Sequence, residues 1–411
     1  MPVRLEITGL AGGGRGVARS GGKVWFVAGA LPGEVVDAEV ERERAGIVEA
    51  RTREVIAASP WREPAPCPVA GACGGCDLAH LQRAAASEVL RSAAIGALRH
   101  APPVLSDAVR EAPVRVSVMG WRLRAKLHWD SAHGVLGFRA ARSHDVVAIA
   151  PCRVVSPLLL RALPEVAGAL RLAGAGDGEL EWIEDLAGEK AVAGWRGATV
   201  PDGPLGELAG FHRLTGDGEI VPGGWGETGV MMYLPVPLCV PVGVFFQGNR
   251  HLVPGLFATV TELVRAADPA RVVDLYGGVG FLAAAAGHAG AGDVTVVEAS
   301  RPAAAAARRN LPEATVIAAA AEAYLAAPGA AAGTLAIVDP PRTGLSRPAA
   351  EGLVRWRPER IVLLACDAAR FGRDGGRLLA SGYRLESAEL WDLFAGSHHV
   401  EILASFSRGA A

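Results

Sequence analysis

Arg271-Val272-Val273-Asp274-Leu275-Tyr276-Gly277-Gly278-Val279-Gly280 reads as a buried strand that runs into a tight glycine turn, with an Ala-rich helix following from Phe281. Glycines at such a turn let the backbone approach a ligand closely at the carboxyl end of the strand. The next strand, Asp293 to Val297, ends in Glu298, a carboxylate placed to accept both hydroxyls of a ribose. The turn is compact and lacks the third glycine of a dinucleotide fingerprint, which favours S-adenosylmethionine (SAM) over NAD.

Working outward, strands and helices alternate across residues 245–411, the pattern of a doubly wound parallel sheet. Leu335-Ala336-Ile337-Val338 ends in Asp339-Pro340-Pro341-Arg342, where two prolines rigidify a loop carrying a carboxylate to the sheet's rim. Ile361 to Ala365 delivers Cys366 to the same rim, next to Asp367 and just before a helix start that favours a thiolate. Ser397-His398-His399-Val400-Glu401 brings two imidazoles and a carboxylate near the end of the sequence. The histidines lack a third spaced ligand for zinc, so they are read as packing or phosphate contacts and Glu401 as the candidate base.

Upstream the period changes. Residues 1–58 alternate apolar and polar side chains in short runs cut by glycines, which predicts a small antiparallel barrel. Pro60, Pro64 and Pro66 make a linker. Within residues 59–244 the reading is a helix over 78–99, packed on the last domain, then a second β-rich domain. That domain carries a helix near Leu158–Leu172 and an acidic hairpin around Glu179–Glu189. Arg115 to Arg153 holds seven Lys/Arg against two acids in a chain of net charge −2, with Trp121, Trp129 and Phe138 interleaved. Such a stretch can track a phosphate backbone and stack bases, or be a solvated sheet face.

Four of the six cysteines form a set, Cys67, Cys73, Cys76 and Cys152, while Cys239 and Cys366 stand alone. Two thiolates separated by two residues, Gly74-Gly75, can hold one metal centre, and four suit zinc or an iron-sulfur cluster equally. The opening residues lack an apolar signal region and no apolar run would span a bilayer, so a reduced, cytoplasmic protein is expected.

Taken in order along nearly the whole chain, these motifs resemble the RNA uracil-C5 methyltransferase family, which makes 5-methyluridine in tRNA and 23S rRNA. Gly9-Leu10-Ala11-Gly12-Gly13-Gly14-Arg15-Gly16-Val17-Ala18 with Pro32-Gly33-Glu34 is similar to its TRAM domain, an OB-like RNA-binding barrel. The resemblance makes Cys67, Cys73, Cys76 and Cys152 ligands of a [4Fe-4S] cluster, and makes Trp121 to Lys126 and Leu136 to Arg139 an RNA-facing segment. It implies SAM contacts at Gln247, Tyr276, Gly278, Phe281, Glu298 and Asp339. Substrate contacts fall on Phe245, Asp339 and Arg342, the nucleophile on Cys366 and the general base on Glu401. The implied architecture is α/β: a TRAM-like barrel over 1–58, a β-rich RNA-binding domain with the cluster over 59–244, and a Rossmann-like methyltransferase domain over 245–411. A monomer acting on structured RNA, away from membranes, is expected.

The chain departs from the family pattern at several places. The usual Cys-Asn-Pro is Cys366-Asp367-Ala368, and Asp367 is expected to raise the thiol's pKa by like-charge repulsion. Gly277 and Phe281 stand at usual Cys and Asn positions, Ala320 replaces a polar residue and Ala395 a proline. These departures keep one rival reading open, a non-catalytic RNA-binding protein with a degenerate SAM pocket.

Overall fold

The computed structural model describes residues 2–149, 151–201, 203–327 and 329–409, and sets the glycine-turn motif in the middle of an eight-stranded sheet. Three β layers precede or flank it in sequence. The first contains β1 (Val3–Glu6), β2 (Gly9–Ala11), β3 (Arg15–Ser20), β4 (Lys23–Ala28), β5 (Val35–Arg44) and β6 (Ile47–Ala57), paired in the order β1-β5-β6-β4-β3-β2. Alternate side chains point inward, so Leu5, Trp25, Val27, Val36 and Val48 form its core.

The barrel is clamped to the linker by a buried carboxylate. Glu34 accepts from Leu31 N at 2.8 Å, from Ser59 N at 3.3 Å and from Arg62 Nη2 at 2.8 Å, and Arg62 also donates to Gly29 O at 2.7 Å. Removing one partner of a buried pair leaves the other uncompensated, which typically costs 3–5 kcal/mol. Arg62 keeps some solvent contact, so Glu34→Ala is expected to destabilise the barrel by roughly 3 kcal/mol, read by urea unfolding followed through Trp25 fluorescence. A change under about 0.5 kcal/mol would contradict the clamp.

The chain then crosses to the last domain. The helix expected over 78–99 is shorter: a 3-10 turn at Arg83–Ala85 leads into α1 (Ala86–Ala97). Residues 78–82 spend their backbone groups on partners elsewhere, with Leu78 N donating to Gly396 O and Gln82 N to Trp61 O, so no helical ladder forms there. α2 (Pro103–Glu111) and β7 (Val114–Arg115) follow, and β7 pairs in parallel with the outermost long strand of the C-terminal sheet.

The central layer orders β8 (Arg124–Asp130), β9 (Val135–Arg139), β10 (Val146–Ala148), β11 (Gly178–Glu184), β12 (Ala191–Arg196), β13 (Leu208–Leu214) and β14 (Ile220–Gly226) as β10-β9-β8-β11-β12-β13-β14. Helix α3 (Pro157–Leu172) covers one face, packing Leu159, Val166 and Leu170 among Trp129, Trp182 and Trp195. The opposite face bears on the two readings of the basic stretch, since it pairs several of those cations with acids. Lys126 bridges Glu179 at 2.7 Å and Glu181 at 3.5 Å, Arg124 meets Glu181 at 3.3 Å and Arg196 meets Glu179 at 2.9 Å. Arg115 pairs with Glu389 at 3.2 Å and Arg142 with Glu49 at 3.3 Å. The acidic hairpin thus neutralises the cations of β8 in place, because antiparallel register sets unlike charges side by side. A short hairpin, β15 (Gly229–Met232) and β16 (Leu238–Pro241), leads out of this layer.

The C-terminal sheet is built from α4 (Val253–Ala267), β17 (Arg271–Leu275), α5 (Phe281–His288), β18 (Val294–Val297), α6 (Arg301–Asn310), β19 (Thr315–Ile317), α7 (Ala321–Tyr324), β20 (Thr334–Val338), α8 (Arg347–Trp356), β21 (Arg360–Ala365), α9 (Ala368–Ala380), β22 (Tyr383–Trp391) and β23 (Glu401–Arg408). Its order is β19-β18-β17-β20-β21-β23-β22-β7. β18 and β20 are buried along their whole length, as strands covered on both faces must be. Val272, Leu335, Ile337 and Val362 face α4 and α5, whereas Val273, Ala336, Ile361 and Leu363 face α1, α2, α8 and α9. Among the described residues, no helix is long and apolar enough to cross a membrane.

Candidate active site

Parallel pairing of β17, β20 and β21 brings their carboxyl ends to one rim, the place where open α/β sheets bind ligands. Beyond β17, Tyr276 takes φ 64°, Gly278 55° and Gly280 90°, so three residues of the turn lie in the left-handed region. For Tyr276 that conformation costs on the order of 1–3 kcal/mol, a strain typical of functional sites. Glu298 braces the turn, accepting from Gly278 N at 2.9 Å and from Ser300 N at 2.6 Å. Asp274 lies fully buried beneath it, with Oδ2 accepting from Ala283 N at 3.0 Å and Oδ1 without a partner.

Two departures from the family pattern have a local explanation. A Cβ on Gly277 would lie 2.6 Å from Val296 Cγ1, so Val296 occupies the space of a side chain there. Phe281 is 6 % exposed and packs edge-on against Phe246 at 5.3 Å, backing the pocket from the core. Ala320 precedes α7 as an exposed residue without a capping side chain.

Asp339 follows β20 and accepts from Gln247 Nε2 at 3.2 Å. Cys366 follows β21, and β23 runs antiparallel beside it with Ala365 opposite Ile402. One further step of that register sets Cys366 opposite Glu401, whose Oε2 is buried without a partner. A thiol and two carboxyls therefore share one rim with one nearby guanidinium, Arg342, which lies 5.8 Å from the Phe394 ring. Phe245, 59 % exposed, carries the Arg124 guanidinium 5.5 Å from its ring.

Burial above all raises the ionisable groups of this rim. Burial, then the Glu401 and Asp339 charges, push the Cys366 thiol up to about 12, with Arg342 opposing. Burial pushes Asp339 up to about 7. Burial and the Asp339 charge hold Glu401 well above the usual carboxylate range. The expected roles of Asp367 and the helix start are corrected here. Asp367 caps α9 by accepting from Arg370 N at 2.8 Å, and the thiol is raised by burial and the two carboxyls instead. Alkylation of Cys366 by iodoacetamide in the free protein should therefore rise about tenfold per pH unit between pH 7 and 9, because only the thiolate reacts. Arg342→Gln should slow it at each pH. Peptide-level mass spectrometry reads both, and a plateau by pH 8 would rule out the raised thiol.

Cys67, Cys73, Cys76 and Cys152 line one cavity together with Arg122, Phe138 and Val154. Gly75 N donates to Cys73 Sγ at 3.4 Å, Gly74 N donates to Arg139 O at 3.0 Å, and the Arg122 guanidinium lies 4.8 Å from the Trp121 ring. Burial and the neighbouring thiols raise Cys73 and push Cys76 up to about 12. The side chains as placed form no group of three or more His, Cys, Asp or Glu that could hold a metal ion, among the described residues.

His398 and His399 stack with ring centroids 4.1 Å apart, and His399 is pushed down to about 4 by burial. His398 bonds to Asp77, a residue that its position directly after Cys76 could have singled out. Asp274 was also missed, since one Asp inside an apolar strand has no pattern of its own. A cleft of about 1390 Å³ joins the barrel, at Thr8, Arg15 and Phe26, past Gly96 of α1, to Cys366 and His399.

A TRAM domain model matches residues 3–52. A Pseudomonas putida protein named 23S rRNA (uracil(1939)-C(5))-methyltransferase RlmD is 34% identical over 99% of this chain and 94% of its own. A Corynebacterium efficiens protein named only as an uncharacterized RNA methyltransferase is 30% identical over 100% of this chain and 95% of its own. Among solved structures, Pyrococcus abyssi tRNA (uracil-54, C5)-methyltransferase in complex with S-adenosyl-L-homocysteine superposes with a TM-score of 0.76. The two are 22% identical, and the match covers 98% of this chain and 99% of that one.

Proposed function

The chain belongs to the RNA uracil-C5 methyltransferase family, and from that premise we propose that it forms 5-methyluridine in 23S rRNA, the substrate named for its bacterial relatives. The observation that supports the reading is the β21–β23 register, whose continuation past Ala365 and Ile402 brings Cys366 and Glu401 side by side on a rim where Asp339 also lies.

Uracil C5 is too weak a nucleophile to attack a sulfonium methyl, so Cys366 first loses its proton to solvent in the open cleft, adds to C6 as the thiolate and leaves an enolate at C5. SAM, when bound, supplies the electrophilic methyl. The glycine turn braced by Glu298 and the Asp339 carboxyl, which titrates near neutrality at the same rim, suit a cationic nucleoside ligand. Gln247, Tyr276, Gly278 and Glu298 form the wall nearest the glycine turn, and Phe281 backs it. Asp339, poised near neutrality, both donates to and accepts from the uracil edge. Phe245 and Arg342 flank the base. After methylation Glu401, its own proton released to solvent, takes the C5 proton as the carboxylate, the C5–H electron pair closes the C5–C6 double bond, and the Cys366–C6 bond breaks. The target base leaves its stack to reach this rim, at roughly a few kcal/mol, and the barrel-lined cleft holds the flanking strand.

Cys67, Cys73, Cys76 and Cys152 hold a [4Fe-4S] cluster in this reading. Four thiols on one cavity, a backbone N–H on sulfur and an adjacent guanidinium suit a thiolate-bound cluster. Its part is structural, tying the linker to the central layer.

Mass spectrometry of rRNA and tRNA from cells lacking the gene tests the substrate. Loss of one 5-methyluridine from 23S rRNA is expected. Loss only from tRNA, or from neither, would overturn the assignment.

A further inference from the structure

We propose that Asp77, directly after the third cysteine of the set, is a positioning residue for Glu401. The inference rests on the reading of Glu401 as the base. Glu401 opens β23 at the end of a segment, 392–400, that forms no regular helix or strand. Its Oε2 has no partner, so the backbone that delivers the side chain fixes its aim.

From Glu401 onward the backbone is fixed by the ladder, Glu401 opposite Trp391 and Ile402 opposite Ala365, and the approach to it over 395–398 is held from the cysteine loop and Trp121. Asp77 Oδ1 accepts from His398 N at 2.8 Å, and Asp77 Oδ2 bonds to His398 Nδ1. Leu78 N donates to Gly396 O at 3.0 Å, and Trp121 Nε1 donates to Ala395 O at 3.0 Å. Gly396, at φ 90°, passes so close that a Cβ there would lie 3.4 Å from Cys76 Sγ. On the approach to the ladder Asp77 grips His398 twice, three residues before Glu401, while Ser397 Oγ accepts from His399 N at 3.3 Å.

The reaction separates this role from general stability. Addition of Cys366 and methyl transfer do not use Glu401, whereas removal of the C5 proton does. An error of about 1 Å in aim costs up to about a hundredfold in the step that depends on it. Asp77→Ala should therefore slow release of the methylated product about tenfold or more, and a covalent protein–RNA adduct should build up on ordinary uridine RNA. With 5-fluorouridine RNA, whose C5 fluorine no base removes, the adduct should form at the parental rate. Asp77→Asn, which keeps the acceptor for His398 N, should restore release. Iron content and visible absorbance are measured on each variant.

Glu401→Gln runs beside them. Its failure to trap adduct overturns the base reading and this inference with it. If it traps adduct, three results each overturn the positioning role alone. These are equal slowing of both RNAs by Asp77→Ala, with or without loss of iron, no effect on either, and no rescue by Asp77→Asn.

Discussion

Cys366→Ala is expected to lower methylation by roughly 10⁴-fold or more, the scale on which loss of a covalent nucleophile acts. It is also expected to abolish the adduct with 5-fluorouridine RNA. No other thiol can substitute. Cys239 is engaged through its backbone with Asn310, at 2.9 Å, on the far side of the glycine turn, and the remaining four cysteines surround their own cavity. SAM binding should persist in the variant, since Gln247, Tyr276 and Glu298 are untouched. Equilibrium dialysis with labelled SAM and a denaturing gel of the RNA complex separate the two properties. Methylation within tenfold of the parent would refute the nucleophile.

Glu401→Gln is expected to lose turnover by roughly 10²–10⁴-fold, the usual contribution of a positioned base. Unlike Cys366→Ala, it should leave the first half of the reaction standing, so methylated RNA accumulates in covalent linkage to the protein. Glutamine is nearly isosteric and carries no charge. It also removes one of the two carboxyls that raise the Cys366 thiol, so adduct formation should be no slower than in the parent at pH 7. Denaturing gels read the adduct and methyl release reads turnover. Turnover within fivefold of the parent, with no trapped species, would remove Glu401 from the mechanism.

Much of the C-terminal sheet was legible because fully buried parallel strands write themselves as apolar runs, as at Leu335–Val338 and Ile361–Ala365, each ending in a polar residue at the rim. The barrel was legible for the complementary reason, an alternation of inward and outward side chains. Residues 78–82 and 103–115 were harder. Leu78 and Leu81 keep helical spacing while their backbone is spent on distant partners, and a two-residue strand such as β7 has no period to read. The charge of Arg124 and Lys126 was visible, but their neutralisation by Glu179 and Glu181 depends on a strand pairing fifty residues apart. The raised thiol of Cys366 follows the expected direction, but its causes, burial first and then the Glu401 and Asp339 charges, lie in the fold and not at the neighbouring Asp367.

The crossing of α1, α2 and β7 onto the C-terminal sheet has a consequence in time. These segments leave the ribosome about 290 residues before Arg408 closes the last strand, a delay of roughly 15–60 s at 5–20 residues per second. Meanwhile Leu98, Leu105 and Val109 have no surface to meet, since Phe371, Leu390 and Phe406 are not yet made. The barrel can finish early, but the middle of the nascent chain stays cleavable and sticky until synthesis ends. Ribosome-bound chains stalled before residue 360 should be cut by protease within 83–115, and full-length chains should not.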